Sequence, residues 1–262
     1  RYVASLSLRA DGSSLVGDNN TWGYFPSVGL EWNVQQEPWL RNLRHCNLLK
    51  LRTSYGRSGN LGGITAYNAL YALMPNGVVP YYGVPTVTQG LLKNVNPNLK
   101  WETRSSFNIG LEAGLFDNRL HLYAEYYASK TIDMLYNYDV SVPPFAFNKL
   151  FANIGSMSNS GFELGLGVDL IRKHDLELSV NLNLSMQKNR LLSLSGKYGD
   201  EYLSSPDITP VGSLNGAGMH GGHNNIVYQI VGQPLGVFYL PHCTGLEQAP
   251  DGSYRYVCAD LD

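Results

Sequence analysis

Charge is scarce in this chain. Asp, Glu, Lys and Arg make up 15% of its 262 residues, against roughly 25% in ordinary soluble domains. The net charge is −2 with no basic patch, which removes the usual ground for expecting nucleic acid as a partner. Cysteine is rare too: Cys46, Cys243 and Cys258 form no CxxC pair, so zinc and thioredoxin-type chemistry are not expected. No apolar run approaches the roughly 18 residues of a transmembrane helix. Nor does the start read as a signal peptide, since Arg1-Tyr2-Val3 already has the look of a strand. If the protein is exported, its beginning is expected to lie ahead of Arg1.

What is abundant is alternation. From Gly161 to Leu170 the residues Phe162, Leu164, Leu166, Val168 and Leu170 alternate with Gly161, Glu163, Gly165, Gly167 and Asp169. After a polar link at 171–175, Leu176, Leu178, Val180, Leu182, Leu184 and Met186 alternate with Glu177, Ser179, Asn181, Asn183, Ser185 and Gln187. A period of two is that of a β-strand with one apolar and one polar face, and the short link makes the pair a hairpin. The polar face is Ser, Asn, Gln and Gly rather than Lys, Glu and Thr, which suits a wet lumen. The two runs, 160–170 and 176–187, are long enough to cross a bilayer as tilted strands, for which about 9–11 residues suffice. The hairpin therefore reads as outer-membrane barrel wall.

The same pattern recurs along the chain. Runs 2–9, 22–32, 49–55, 103–115, 120–126 and 226–230 complete a set of about eight strands. Trp22, Tyr24 and Trp32 place aromatics near both ends of one face, as in barrel girdles, and the 18 Tyr fit an interface between water and an apolar phase. Connections alternate between long or medium stretches (11–21, 34–47, 57–100, 129–157, 188–225) and short ones (117–118, 171–175). Outer-membrane barrels sort their loops this way, with short periplasmic turns and long extracellular loops. The fold expected is all-β: a transmembrane antiparallel β-barrel wall.

Sequence motifs sharpen this. Arg9-Ala-Asp-Gly-Ser-Ser14, Leu49-Lys-Leu-Arg-Thr-Ser-Tyr-Gly56, Asn96-Pro-Asn-Leu-Lys-Trp-Glu-Thr103, Gly114-Leu-Phe-Asp-Asn-Arg-Leu120, Asn153-Ile-Gly-Ser-Met-Ser-Asn-Ser-Gly-Phe-Glu-Leu164 and Gly232-Gln-Pro-Leu-Gly236 occur in order over nearly the whole chain. Together they resemble the TonB-dependent transporters of the SusC/RagA type. That resemblance implies an outer-membrane nutrient importer of Bacteroidetes-type bacteria for glycans or peptides, with a SusD-like surface lipoprotein as lid and TonB supplying energy. Barrels of that type have about 22 strands around a plugged lumen. The expectation is thus that 1–262 is part of a single transporter barrel domain, with plug and remaining strands elsewhere. The rival readings are a small closed outer-membrane barrel with an adhesin or structural role, a secreted glycan-binding β domain and, with least support because no catalytic group stands out, an outer-membrane hydrolase.

No catalytic, cofactor or metal site is expected. Gly216-Ala-Gly-Met-His-Gly221 matches GxGxxG but lacks the flanking strand and helix of a dinucleotide site. His220 and His223 lack further ligands nearby. Asp260 and Asp262 have the spacing of an incomplete calcium loop. Glu163, Asp169 and Glu177 share the polar faces of one hairpin and read as selectivity or solvation groups, not an acid–base pair. Cys243 and Cys258 flank the turn signal Pro250-Asp-Gly-Ser253, which leaves a surface disulfide and two unpaired thiols as equal alternatives. The expected functional surface is the loop region 57–100, with Tyr67, Tyr71, Tyr81 and Tyr82 among Asn68, Asn76 and Asn94.

Overall fold

The alternating runs do fold into strands, and most of them pair with their neighbours in the chain. A computed structural model describes residues 1–40, 45–199, 201–214, 224–240 and 242–259. Its wall strands are β1 (Tyr2–Gly12), β2 (Trp22–Asn33) and β3 (Cys46–Asn60). A loop hairpin follows, β4 (Leu73–Tyr81) with β5 (Val84–Leu91). The wall resumes with β6 (Glu102–Leu115), β7 (Leu120–Asp139), β8 (Lys149–Lys173) and β9 (Leu176–Ser193). Beyond it lie the pair β10 (Ser195–Tyr198) and β11 (Glu201–Ser204), the trio β12 (Ile208–Leu214), β13 (Asn224–Ile230) and β14 (Val237–Phe238), and the pair β15 (His242–Gln248) and β16 (Tyr254–Ala259).

Seven strands form one open antiparallel sheet in the order β1-β2-β3-β6-β7-β8-β9. Register keeps like faces together. One row runs Leu51, Leu111, Ala124, Leu164, Leu184 and the next Arg52, Gly110, Glu125, Glu163, Ser185. A shift by one residue would put every Leu of a strand on the polar face, so this alternation specifies the register strongly. The eighth run, Ile226 to Ile230, is a strand, but it pairs with β12 and β14 in a separate small sheet.

The turns differ in detail from the spacing. Leu115 pairs with Leu120, so the connection is residues 116–119, not Asp117-Asn118 alone. Phe116, Asp117 and Asn118 all take positive φ, 55°, 58° and 59°. The strain of that run is offset from outside: the Phe116 amide donates to the His45 carbonyl at 2.9 Å and the Asp117 amide to Asn47 Oδ1 at 2.8 Å. Between β8 and β9 the link is only His174-Asp175, because β8 continues through a bulge between Asp169 and Ile171.

The stretch 129–157, expected as a loop, is mostly strand. β7 runs to Asp139 and β8 starts at Lys149, leaving 140–148 as the connection. The alternation fails there because bulges interrupt the pairing between Thr131 and Leu135, with Asp133 at φ 58°. Above them the strands change environment. Tyr138, Leu150, Ala152 and Leu203 form a buried cluster flanked by Tyr136, Val140, Phe145, Ile154 and Tyr198. Here β10 and β11 cover the strands as protein covers protein, so outward residues no longer need one polarity.

Candidate functional site

Among the described residues, nothing packs over the apolar face of the sheet below the buried cluster. Leu6 is 86% exposed, Leu8 70% and Leu182 59%, with Val28, Leu30, Tyr55, Ile109, Tyr126, Phe162, Val180 and Leu184 also exposed. A contiguous apolar surface of this size marks an interaction with something apolar. Aromatics bound it along β2: Trp22 and Tyr24 stand near one end, and Trp32 stacks on Tyr2 near the other, with centroids 6.3 Å apart.

The opposite face carries a charge network built by four strands. Arg52 on β3 donates from Nη2 to Glu125 Oε2 at 2.5 Å and to the Tyr123 hydroxyl at 3.0 Å, and from Nη1 to Glu112 Oε1 at 3.4 Å. Its guanidinium carbon stands 5.1 Å from the Tyr123 ring centroid, and the Tyr123 hydroxyl itself donates to Glu125. Lys50 bridges Glu31 at 3.5 Å and Glu112 at 3.8 Å. Glu163 lies directly opposite Glu125 in the register. Arg52 and Glu125 line an open depression of about 390 Å³ with Glu31, Ser54 and Asn108. A second, of about 440 Å³, is lined by His121, Tyr123, Asp169, Asn181 and Asn183 among others. These are ion pairs open to water, so each is worth only about 0.2–1 kcal/mol. What they provide is a fixed polar pattern on the face.

Sequence reasoning did not find this network, because cross-strand register is not written in any one strand. The three hairpin carboxylates are not brought together as an acid–base pair. Glu163 faces Ser185, Asp169 faces Ser179 and Glu177 faces Arg172.

At the long-loop rim, residues 94–101 act as a strap. Asn94 is buried and bonds four backbone groups of the β7–β8 connection and the first residue of β8. Its Nδ2 donates to Phe147 O at 2.5 Å and Lys149 O at 2.8 Å, and its Oδ1 accepts from the amides of Ala146 and Phe147, each at 3.1 Å. Asn96 Nδ2 donates to Phe151 O at 3.0 Å, and Asn153 joins Lys100 through donated and accepted bonds of 2.8 and 3.0 Å. On the other side the Gly17 amide donates to Leu99 O at 2.9 Å. Gly17 has to lack a side chain, since a Cβ there would run into the Pro97 carbonyl.

The four tyrosines of this loop are exposed: Tyr67 54%, Tyr71 74%, Tyr81 64% and Tyr82 89%. Tyr81 and Tyr82 meet edge to face, centroids 4.6 Å apart, at the tip of the β4–β5 hairpin. Tyr82 and Gly83 both have positive φ, 50° and 76°, as a two-residue hairpin turn of the primed type requires. Two of the three asparagines are not free to meet a ligand. Asn68 Oδ1 accepts from Thr65 Oγ1 and Lys93 Nζ, each at 2.5 Å, and Asn94 is engaged as above.

Cys243 and Cys258 are register partners across β15 and β16, and Ala249 to Ser253 form the expected turn. The Cys258 side chain lies outside the described residues, as do Gly216, Gly218, Gly221, His220, His223, Asp260 and Asp262.

Comparison with known proteins agrees with this architecture. Residues 1–238 match the family described as TonB dependent receptor-like, beta-barrel. A TonB-dependent receptor of Formosa agariphila is 36% identical over 197 residues, 75% of this chain and 20% of that protein. The TonB-dependent receptor SusC of Bacteroides thetaiotaomicron is 30% identical over 204 residues, 77% of this chain and 20% of SusC. The chain thus spans about a fifth of the length of the curated relatives it matches. Among solved structures, the RagAB peptide importer in its open-open state superposes with a TM-score of 0.77 at 24% identity, covering 99% of this chain and 27% of that one. A second structure, of the RagAB peptide transporter, gives 0.71 at 27% identity, covering 94% and 24%. With an open seven-stranded wall, one apolar and one polar face, and a family match over nine-tenths of its length, the chain belongs to the TonB-dependent receptor-like β-barrel family.

Proposed function

We propose that this chain is barrel wall from an outer-membrane nutrient importer driven by TonB, not an enzyme, and that it works with a SusD-like surface lipoprotein to take up glycans or peptides. The uncovered apolar face carries this reading. It is the surface a lipid-spanning strand needs, while the Arg52 network and the Asn and Ser rows line the aqueous lumen. The short turns 116–119 and 174–175 then face the periplasm, and 61–101 and 140–148 the exterior. Both edges of the sheet, β1 and β9, need neighbours from the rest of the barrel, because lipid does not tolerate unpaired backbone groups.

The exposed tyrosines of 61–101 are the surface offered to substrate or lipoprotein. Flat aromatic faces suit sugar rings and peptide backbones alike. Removing 73–91 tests this. The Leu92 amide already donates to Ala72 O at 2.9 Å, so a short turn can rejoin the ends without disturbing Asn68, Lys93 or the strap. The full-length transporter lacking 73–91 should still assemble but should lose growth on its cognate nutrient or co-purification of its lipoprotein. If both survive, this hairpin is not the functional surface.

A further inference from the structure

Resting on the membrane reading above, we infer that the apolar face ends in a basic band that binds the phosphate groups of lipids in the leaflet on the long-loop side. The register defines it. The cross-strand row Thr53, Ile109, Tyr126, Phe162, Met186 is apolar almost throughout. One step up the same face come Tyr55, Phe107, Ala128, Ser160 and Lys188, and one step further Arg57, Ser105, Lys130, Ser158 and Arg190. On three strands an outward cation directly follows an apolar outward residue, Arg57 after Tyr55, Lys130 after Ala128 and Lys188 after Met186, with Ile132 and Leu192 beyond the band on β7 and β9.

All four cations are exposed, and none has a carboxylate partner among the described residues. Carboxylates on the upper parts of these strands are engaged elsewhere: Asp133 by Lys100 at 2.8 Å, Asp139 by Lys149 at 2.7 Å, and Glu102 by Asn60 at 3.3 Å. Arg57 lies two residues beyond Tyr55 on β3 and so shares its outward face. Arg190 gives only its Nε, to Gly232 O at 2.6 Å, and keeps its terminal nitrogens. With strands about 4.8 Å apart, Arg57 and Lys130 stand about 10 Å apart along the row, and Lys130 and Arg190 about the same. Ser105, Ser158 and Ser160 between them add small hydroxyl donors and leave room for a headgroup. An unpaired cation at an apolar boundary is where an anionic headgroup gains most, because the chain's aliphatic stem stays in lipid and its charge meets phosphate.

The test places the full-length transporter in phosphatidylcholine nanodiscs with and without phosphatidic acid and reads retained lipid by native mass spectrometry. Wild type should enrich phosphatidic acid. Arg57→Gln, Lys130→Gln and Lys188→Gln combined should weaken that preference about fivefold per cation, roughly a hundredfold in all. Exchanging Arg57→Lys, Lys130→Arg and Lys188→Arg should retain it, and millimolar inorganic phosphate should not compete. Equal enrichment by wild type and the triple Gln variant overturns the inference, as does displacement by free phosphate. If the triple variant does not fold, Lys130→Gln and Lys188→Gln singly carry the same comparison. A wild-type protein that inserts but shows no preference refutes only the lipid band. One that does not insert at all refutes the membrane reading itself.

Discussion

Asn94 holds the rim loops to the wall, and removing its amide should release them without unfolding the barrel. The side chain satisfies four backbone groups at once, two carbonyls and two amides, from a position only 9% exposed. Asn94→Ala leaves those groups unpaired. A buried group left unsatisfied costs about 1–3 kcal/mol, so full loss would approach about 4–12 kcal/mol if nothing moved. The 140–148 connection lies at the surface, however, and water can reach the freed groups once it shifts. The expected cost is therefore near the lower end, about 2–4 kcal/mol, felt as local opening of 140–148 and the strap. Asn94→Asp separates the contributions: it keeps both acceptors for the amides of Ala146 and Phe147 but sets a carboxylate against two carbonyl oxygens, so it should open the loop at least as far. Hydrogen exchange of full-length protein in micelles should show faster exchange at 146–151 in both variants, with unchanged exchange in the lower wall. Unchanged protection at 146–151, or equal loosening of β6 and the lower β8, would refute the clamp.

Leu182 lies at the centre of the outward apolar run of β9, so Leu182→Arg should cost about 2–4 kcal/mol, a thirtyfold to several-hundredfold loss in folding equilibrium. Asn181→Arg, on the opposite face, should cost much less in the same urea titration in lipid, and equal costs would count against the membrane assignment. Glu37 is buried at the β2–β3 turn. Its carboxyl is held below the usual carboxylate range by hydrogen bonds from the Tyr2 hydroxyl at 2.7 Å and the Trp32 indole at 3.2 Å, with Arg1 at 3.4 Å. Its folded pKa lies below its unfolded one, so its stabilising contribution is present above the unfolded value and fades as pH falls through the folded one. Acid should loosen the Tyr2–Trp32 corner, seen in Trp fluorescence, and Glu37→Gln should lose that part of the acid response. Facing each other across β15 and β16, Cys243 and Cys258 have the cross-strand placement a disulfide needs. Mass spectrometry of unreduced peptides should find them joined, and two alkylatable thiols would refute it.

How much of this was legible in the sequence follows from what each residue touches. Where lipid and water meet opposite faces, every second residue is constrained, so Phe162 to Val168 and Val180 to Met186 announce both strand and face. The β4–β5 hairpin was missed because all nine residues of β4 are exposed. With no buried face there is no period, and Pro75, Pro80 and Pro85 read as loop. Those prolines also remove amide donors from an exposed hairpin. The buried roles of Asn68 and Asn94 were hidden for another reason. Asn in a Gly- and Tyr-rich loop looks like a surface amide, and only the approach of 146–149, some fifty residues on, turns Asn94 inward.

β8 shows why one strand can obey two rules. Its 25 residues span roughly 80 Å at about 3.3 Å each, and a strand tilted by about 40° still rises about 60 Å, twice the roughly 30 Å hydrocarbon core. The lower half meets lipid, so Leu164, Leu166 and Val168 point outward. The upper half meets β7 and β10, so Leu150 and Ala152 are buried in a core of the kind found in soluble proteins. The bulges around Asp133 sit at this change, where the sheet can lose strict alternation because protein replaces lipid as the solvent.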